Sequence, residues 1–449
     1  MRVDRLIVCA VMALLAVAVF EQGSSGAEGA KPQARAAAGP ASRPFVIAKE
    51  TTYFTKPVRA DGTIDYVVAI NAELAKGVTP QNNATIPLLD AASRGKELHA
   101  AHYARVRALL GLPPLPAVDQ NLPADPLAGA EPAGLENALH GPWTAEKAPD
   151  VAKWLESMEP KLKLIIEASK RDHFYLPMIR EKESDYMFMV LLPHLSEFRQ
   201  MCNALKARAM LELGNEDMEA FCRDAVAIVR IGRLSTHSAT TIDRLVGFAC
   251  EAIGLDAIKF ASAGGWLSAQ QVERLLAELR GLPSAPLHEV FGMAERCFFL
   301  EVLQGCAAHG ALAMSQATQG MNMNFPVMDL ANKDWNAAMK KANEWYDQFD
   351  AAGKLPTYAQ RMKASQALDD QHAGKQQGWR AIFVPFEDRL MALLAPAMSR
   401  AYTVETRLLM DRELTEIALA NSSFRSKTGE YPAQLKELAP AYFKEEPKD

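Results

Sequence analysis

The sequence predicts an all-α protein: an irregular stack of antiparallel helical hairpins, α-solenoid-like or α/α-toroid-like, with little or no sheet. Three observations predict it. From His194 onward apolar residues recur at three- and four-residue spacing in one segment after another, the period of a helix with one buried face. Helix start and stop residues punctuate those segments. At Ser268-Ala269-Gln270-Gln271, for example, Ser268 and Gln271 can satisfy two backbone donors reciprocally. Short turns join several of the segments, which forces neighbouring helices to run antiparallel. The composition is that of an ordinary globular chain: 449 residues, 49% apolar and 23% charged. Such a chain can bury a large core and divide into more than one packing unit.

The first residues read as an address. Arg2 and Arg5 precede an uninterrupted apolar run from Leu6 to Phe20, and Gly23, Ser24, Ser25, Gly26 and Ala27 follow. A basic start, a short apolar core and a small-residue exit make the secretory signal pattern, with cleavage expected after Ala27. The alternative is an uncleaved anchor, for which the run falls short of the ~20 apolar residues of a spanning helix. Residues 28–44, mostly Ala, Gly, Pro, Gln and Arg, read as a flexible linker. The expectation is an exported protein, periplasmic, cell-envelope or secreted, that meets a membrane only through the signal segment if it is retained.

Ordered structure should begin near Phe45. Residues 45–400 read as a helical domain and 401–449 as a long helix followed by a GxYP turn. Asp61-Gly62 is turn chemistry. A helix is expected from about Asp65 to Lys76, ended by Gly77. Thr79-Pro80 reads as a restart, with threonine as N-cap and proline in the first turn. A third helix covers about Lys96 to Leu110. Residues 112–142, rich in Pro, Ala and Gly, read as a long loop. Pro149 to Lys170 is helical, broken or restarted at Pro160. Tyr186 to Leu192 fits either a short strand or a buried segment. Leu195, Phe198, Cys202, Leu205 and Ala209 then form a helical stripe. Gly214-Asn215 interrupts it, with Asn215 able to cap the next helix through Val229. Thr241 to Phe260 ends at Gly264-Gly265. Further helices are expected over about Ser268–Arg280, Leu287–Ala308, Asp334–Asp350, Tyr358–Asp370 and Glu387–Ser426, the last interrupted or bent near Pro396. Leu211 to Ile231 resembles part of a tetratricopeptide unit, but no second copy lies one period away, so the layering is irregular.

Several fragments carry possible chemistry. Ser93-x-x-Lys96, Ser184-Asp185 and Lys427-Thr428-Gly429 stand in the order of the penicillin-interacting enzymes. That chemistry needs its third motif on a strand, and here the motif falls where a long helix ends. His99 and His102 share a helix face, with His140, His173 or Glu97 as conceivable third ligands. Helical histidine pairs are more often packing residues, so no metal site is assigned. Met314, Met321, Met323 and Met328 near His309 could hold Cu(I), although methionine more often fills core gaps. No cofactor is expected. Six cysteines, Cys9, Cys202, Cys222, Cys250, Cys297 and Cys306, show no CxxC pair. The default is buried thiols, with one disulfide among Cys202, Cys222 and Cys250 as the alternative. Cys297 and Cys306 would face opposite sides of a helix. Trp143, Trp154, Trp266, Trp335, Trp345 and Trp379 are spread along the chain, where core packing outweighs a sugar groove.

The residues singled out for binding are Arg230, Arg233, Arg244, Glu251, Glu295 and Arg296. Three arginines near a helix end and the start of the next could form an anion patch assisted by backbone N–H groups. Equally, Asp224, Asp243 or Glu251 could pair them as structural ions, and Glu295-Arg296 carries the same ambiguity. Catalytic residues are unassigned. Net charge of −5 leaves nucleic acid without an electrostatic footprint.

Ser423 to Phe443 reads SFRSKTGEYPAQLKELAPAYF. Gly429-x-Tyr431-Pro432 after a helix, followed by Leu435, Leu438, Pro440 and Tyr442, resembles the post-helix segment of type II secretion pseudopilins. The sheet and the N-terminal methylation signal of pseudopilins have no counterpart in this sequence, so the resemblance implies a shared packing motif in which Tyr431, Leu435 and Leu438 fold back on the parent helix. More widely the chain resembles a group of uncharacterised, exported bacterial proteins of similar length. The matching stretches are Thr51–Ala84, Pro142–Pro177, Leu192–Glu251 and the same C-terminal segment. That resemblance implies the architecture and the export, and no activity. The expected function is binding or scaffolding in the cell envelope, with an envelope protein or a polysaccharide as partner. The alternatives are an α/α-toroid enzyme acting on an extracellular or envelope polysaccharide, and an accessory partner of a secretion apparatus.

Overall fold

Helix accounts for the regular structure of the described residues. The computed structural model describes residues 44–92, 97–114, 126–127, 129–180, 182, 186–187, 190, 192, 194–310, 313, 330, 333–373 and 384–446. Twelve helices of seven residues or more occur among them: α1 Tyr66–Leu74, α2 Thr85–Ala91, α3 Glu97–Leu109, α4 Pro149–Ala168, α5 His194–Gly214, α6 Met218–Ser235, α7 Thr241–Ala263, α8 Ala269–Gly281, α9 Arg296–His309, α10 Trp335–Gly353, α11 Tyr358–Ala373 and α12 Phe386–Thr428. Two isolated bridges, Val58 with Ile64 and Asn83 with His173, are the β pairing among the described residues. The all-α expectation therefore stands. The signal segment, the linker to residue 43, Ser93, Lys96, Ser184, Asp185, Met314, Met321, Met323, Met328 and Trp379 lie outside the described residues.

Local chemistry sets the helix ends, and several differ from expectation. Asp217, not Asn215, caps α6, its carboxylate accepting from the Ala220 N–H at 3.0 Å. An ionised side chain is the stronger acceptor for that orphan donor. Thr79-Pro80 opens a turn, not a helix. Asn82 Oδ1 accepts from Thr79 N–H at 2.7 Å, and helix begins at Thr85. Pro160 and Pro396 interrupt hydrogen bonding without ending α4 or α12. The helix expected from Leu287 is not regular. A short turn, His288–Val290, leads into a π-helical stretch, Phe291–Glu295, and then into α9.

The chain forms two compact units, each assembled from three separated stretches. The first comprises residues 1–72, 180–190 and 288–400. The second comprises residues 73–179, 191–287 and 401–449. In the second unit α5, α6 and α7 pack against one another, α4 lies on α5 and α2, and α8 lies on α6. Glycine makes the α6–α7 approach. A Cβ on Gly232 would stand 2.4 Å from the Glu251 backbone nitrogen, and one on Gly254 would stand 2.9 Å from the Ala225 carbonyl oxygen. In the first unit α9 packs on α10 through Phe299, Trp345, Tyr346 and Phe349, whose rings meet edge-on or tilted.

The core of the first unit also holds a buried carboxylate. Glu301 on α9, 5% exposed, accepts from the Met187 N–H at 2.6 Å and pairs with Arg180 and with Arg59 at 3.2 Å. Arg180 continues to Asp65 at 2.8 Å. One helical turn on, Gln304 accepts from the Ile64 N–H at 2.8 Å and donates to the Tyr66 hydroxyl. Burial pushes the Glu301 carboxyl above its ordinary range against the pull of the two arginines. The charges balance in pairs, so this network fastens the segments around α9.

Candidate functional site

The six residues singled out from sequence divide between the units: Arg230, Arg233, Arg244 and Glu251 in the second, Glu295 and Arg296 in the first.

The four in the second unit act as framework. Glu251, with 0% exposure, receives Arg233 Nε at 2.8 Å and two donors of Arg412 at 2.6 Å. Arg233 also donates to the carbonyls of Leu279 and Leu282, at 2.7 and 2.9 Å, where α8 ends. Those carbonyls are the negative end of a helix dipole and help to hold the second cation. Burial and the Arg412 charge lower the Arg233 pKa, against the pull of Glu251. Arg244 donates to the carbonyls of Ser238 at 3.2 Å and Pro286 at 2.8 Å. Arg230, a third exposed, approaches Glu278 at 3.8 Å. These side chains tie α6, α7, α12 and the loop after α8 together. Arg412 was missed from sequence, because an arginine within a long charged helix carries no local signal.

The two in the first unit sit where two backbone irregularities meet. A helical turn at Lys49–Thr52 ends at Tyr53, whose φ of 59° and ψ of −58° form a γ-turn closed by the Phe54 N–H on the Thr52 carbonyl at 2.6 Å. That conformation is strained for a residue bearing a Cβ. Tyr53 is held by its neighbour: the Arg296 guanidinium carbon lies 4.7 Å from the centre of its ring, a cation–π contact. Arg296 is the first residue of α9 and follows the π-helical stretch directly. π-helical turns are rare and recur at functional sites.

The rest of the site comes from one face of α10. Asp347 accepts from Arg296 Nη2 at 2.5 Å, and Asn343 Oδ1 stands 3.5 Å from Nη1. Asn343 Nδ2 in turn donates to the carbonyls of Glu50 and Thr51 at 3.1 and 3.0 Å, fixing the turn that carries Tyr53. Asp350 meets His288 Nδ1 at 3.0 Å and Lys354 Nζ at 2.5 Å. A Cβ on Gly292, in the π-helical stretch, would stand 3.3 Å from Asp350 Oδ1, so glycine leaves room for that carboxylate. Glu295 is half-buried, and its charge reaches the buried Tyr346 hydroxyl. Arg296 Nε is buried without a hydrogen-bond partner.

Exposure distinguishes this site from the framework. Tyr53 is half-buried and the Asp347 side chain is 67% exposed, while Arg296 beneath them is 5% exposed. Burial raises the Tyr53 pKa, with Arg296 opposing, so its hydroxyl keeps its proton at neutral pH. Burial also pushes Asp350 upward, but hydrogen bonds and charge from Lys354 and His288 outweigh it and leave the carboxyl below its ordinary range. Asn343, Asp347, Asp350 and Lys354 fall at i, i+4, i+7 and i+11, a spacing that marks one helix face and could have been read from the sequence. The strained turn at Tyr53 carries no sequence signal.

The other candidate chemistry resolves differently. Lys427-Thr428-Gly429 ends α12, and Lys427 pairs with Glu273 at 2.7 Å. No strand stands beside it among the described residues. His102 is buried against Tyr103. His309 pairs with Asp61 at 3.0 Å and His140 with Glu136 at 3.5 Å. No cluster of three or more His, Cys, Asp or Glu placed to hold a metal occurs among the described residues. Trp143, Trp154, Trp335 and Trp345 are buried, and Trp266 is 38% exposed. In the C-terminal segment Leu438 is fully buried, Tyr442 Oη meets Ser423 Oγ at 2.9 Å, and Arg425 covers the Tyr431 ring at 4.9 Å. Leu435 is 39% exposed, so it does not complete the fold-back. No helix of the described residues is long and apolar enough to cross a membrane. Compared with known proteins, the chain matches no family model, no curated protein and no solved structure.

Proposed function

We propose that the protein is an exported, helical binding protein of the cell envelope that holds a polysaccharide at the Tyr53–Arg296 seat. The observation that carries this reading is the half-open aromatic ring fixed between a strained turn and a buried guanidinium, beside the exposed carboxylate of Asp347. A sugar ring has apolar C–H faces that lie on an aromatic ring and hydroxyls that donate to a carboxylate. A seat held in place before the ligand arrives loses little ordering entropy on binding.

The same residues invite a second reading, an enzyme acting on such a polysaccharide, because Tyr53, His288, Asp347 and Asp350 gather in one unit. The protonation states favour binding. A general acid needs a carboxyl raised toward neutral pH, whereas Asp350 lies below its ordinary range and both of its oxygens are engaged.

Co-sedimentation with purified peptidoglycan tests the reading. Wild-type protein should pellet with the polymer and release no new reducing ends. Tyr53→Ala should weaken binding about tenfold, the ~1.4 kcal/mol that one well-placed aromatic contact supplies. Equal binding by Tyr53→Ala would remove the seat from the account, and release of reducing ends would replace binding with catalysis. Export is tested separately by fusing alkaline phosphatase after residue 44, since that enzyme is active beyond the inner membrane. Activity is the expected outcome.

A further inference from the structure

We infer, on the reading of the Tyr53–Arg296 seat as a sugar site, that its ligand carries free ammonium groups, as the sugars of a de-N-acetylated glucosamine polymer do. Two features of the first unit point to a cation. One is aromatic surface. The Tyr53 and Phe54 rings stand perpendicular, at 87°, with their centres 5.1 Å apart, and both are half-buried. The face of such a ring is electron-rich and attracts an ammonium. Arg296 takes one face of the Tyr53 ring, which leaves its other face and the Phe54 ring for a ligand.

The other feature is the charge that a ligand meets. Arg296 is 5% exposed, with Nη2 on Asp347 and Nη1 toward Asn343, so its charge is committed inside the protein. Asp347 is the opposite case. Its Oδ1 holds Arg296 while its side chain is 67% exposed, so Oδ2 can accept from a ligand. Glu344, exposed, and Asp350 lie three positions before and after Asp347, so three carboxylates follow one another along α10. Lys340 and Lys354 stand seven positions to either side of Asp347, about 10 Å along the helix axis, and Asp350 holds Lys354 at 2.5 Å. At the Tyr53 hydroxyl the charges of Asp347 and Asp350 oppose that of Arg296.

An ammonium on a sugar stacked at Tyr53 fits this arrangement. It meets the aromatic surface and donates to Asp347 in a charge-assisted bond, roughly twice as strong as that of a neutral hydroxyl or amide. A uronate in its place would face like charge, and an N-acetylated sugar would bring no charge.

Isothermal titration calorimetry of the full chain tests the charge, with a soluble glucosamine oligosaccharide and its fully N-acetylated counterpart of equal length as ligands. A mildly acidic buffer of low ionic strength keeps the amines protonated and their attraction unscreened. The glucosamine oligosaccharide should bind about fivefold more tightly, as one exposed ion pair supplies. Asp347→Asn keeps an oxygen for Arg296 and removes the charge, so it should bring the two affinities together. High salt should do the same for the wild type, which keeps the test decisive even if the variant does not fold. Tyr53→Ala should weaken both ligands. Equal affinities in the wild type, a preference for the N-acetylated form, or a preference that Asp347→Asn leaves intact, as diffuse attraction of a polycation would, overturns the inference. Where Tyr53→Ala still weakens binding in those cases, the sugar seat stands without its charge preference. If neither oligosaccharide binds, the seat and the inference fall together.

Discussion

Glu251 stands without solvent contact between two guanidinium groups, and removing it has a different consequence from removing a surface acid. A buried pair contributes little net stability when whole, because desolvation offsets attraction, but breaking it strands the partners' charge. Glu251→Ala should therefore destabilise the protein by about 3–5 kcal/mol, read as a shift of the urea midpoint. At Tyr53 the balance is between backbone and ring. Tyr53→Gly and Tyr53→Ala both lose the Arg296 contact, but glycine also relieves the positive φ. Tyr53→Gly should consequently be the more stable of the two by about 1 kcal/mol, measured by the same denaturation. Equal stability would mean that the turn holds no strain.

Among the elements, the π-helical stretch Phe291–Glu295 is the decisive irregularity, since it sets the rotation of Arg296 relative to His288. A π-turn holds one residue more than an α-turn, so deleting the half-buried Met293 should restore regular helix. The His288–Asp350 and Arg296–Tyr53 contacts would then no longer form together. Deletion should abolish peptidoglycan binding in the pelleting assay while the far-ultraviolet circular dichroism stays helical. The α6–α7 crossing gives a complementary case. Gly232→Ala should force the two helices apart at a cost of about 1–3 kcal/mol, because the new Cβ meets the Glu251 backbone and no flexible side chain can yield.

These elements also show what a sequence can disclose. The helices from His194 to Arg280 and the Ser268 capping box were legible because periodicity and caps are local. Arg233 and Glu251 were legible as partners because they lie on successive helices of a hairpin. Arg412, from a distant helix, was not. The π-turn escaped notice because its apolar pattern still reads as helix, and Tyr53 because backbone strain leaves no mark on residue type. The cap at Asp217 was misread as Asn215 because both types suit the position, and only the turn length decides.

For the whole molecule the division into two units has a consequence in acid. Asp61, Asp65 and Asp350 all belong to the first unit. In each, burial raises the carboxyl but hydrogen bonds and nearby charge together lower it below the ordinary 3.8: Thr63 and His309 for Asp61, Arg180 and Arg59 for Asp65, Lys354 and His288 for Asp350. A carboxylate whose folded pKa is depressed contributes stability above its unfolded pKa, and that stability is lost as pH falls through the folded value. The first unit should lose protection from hydrogen exchange as pH drops below about 4. Protection of the first unit that stays unchanged as pH falls through this range would contradict that assignment.

Hydrogen–deuterium exchange of the full chain at neutral pH, with and without soluble peptidoglycan fragments, tests the binding seat most directly. Slowed exchange in residues 48–54 and 343–350 on saturation is the predicted result. Unchanged exchange in both segments, while fragments bind elsewhere or not at all, would contradict the account.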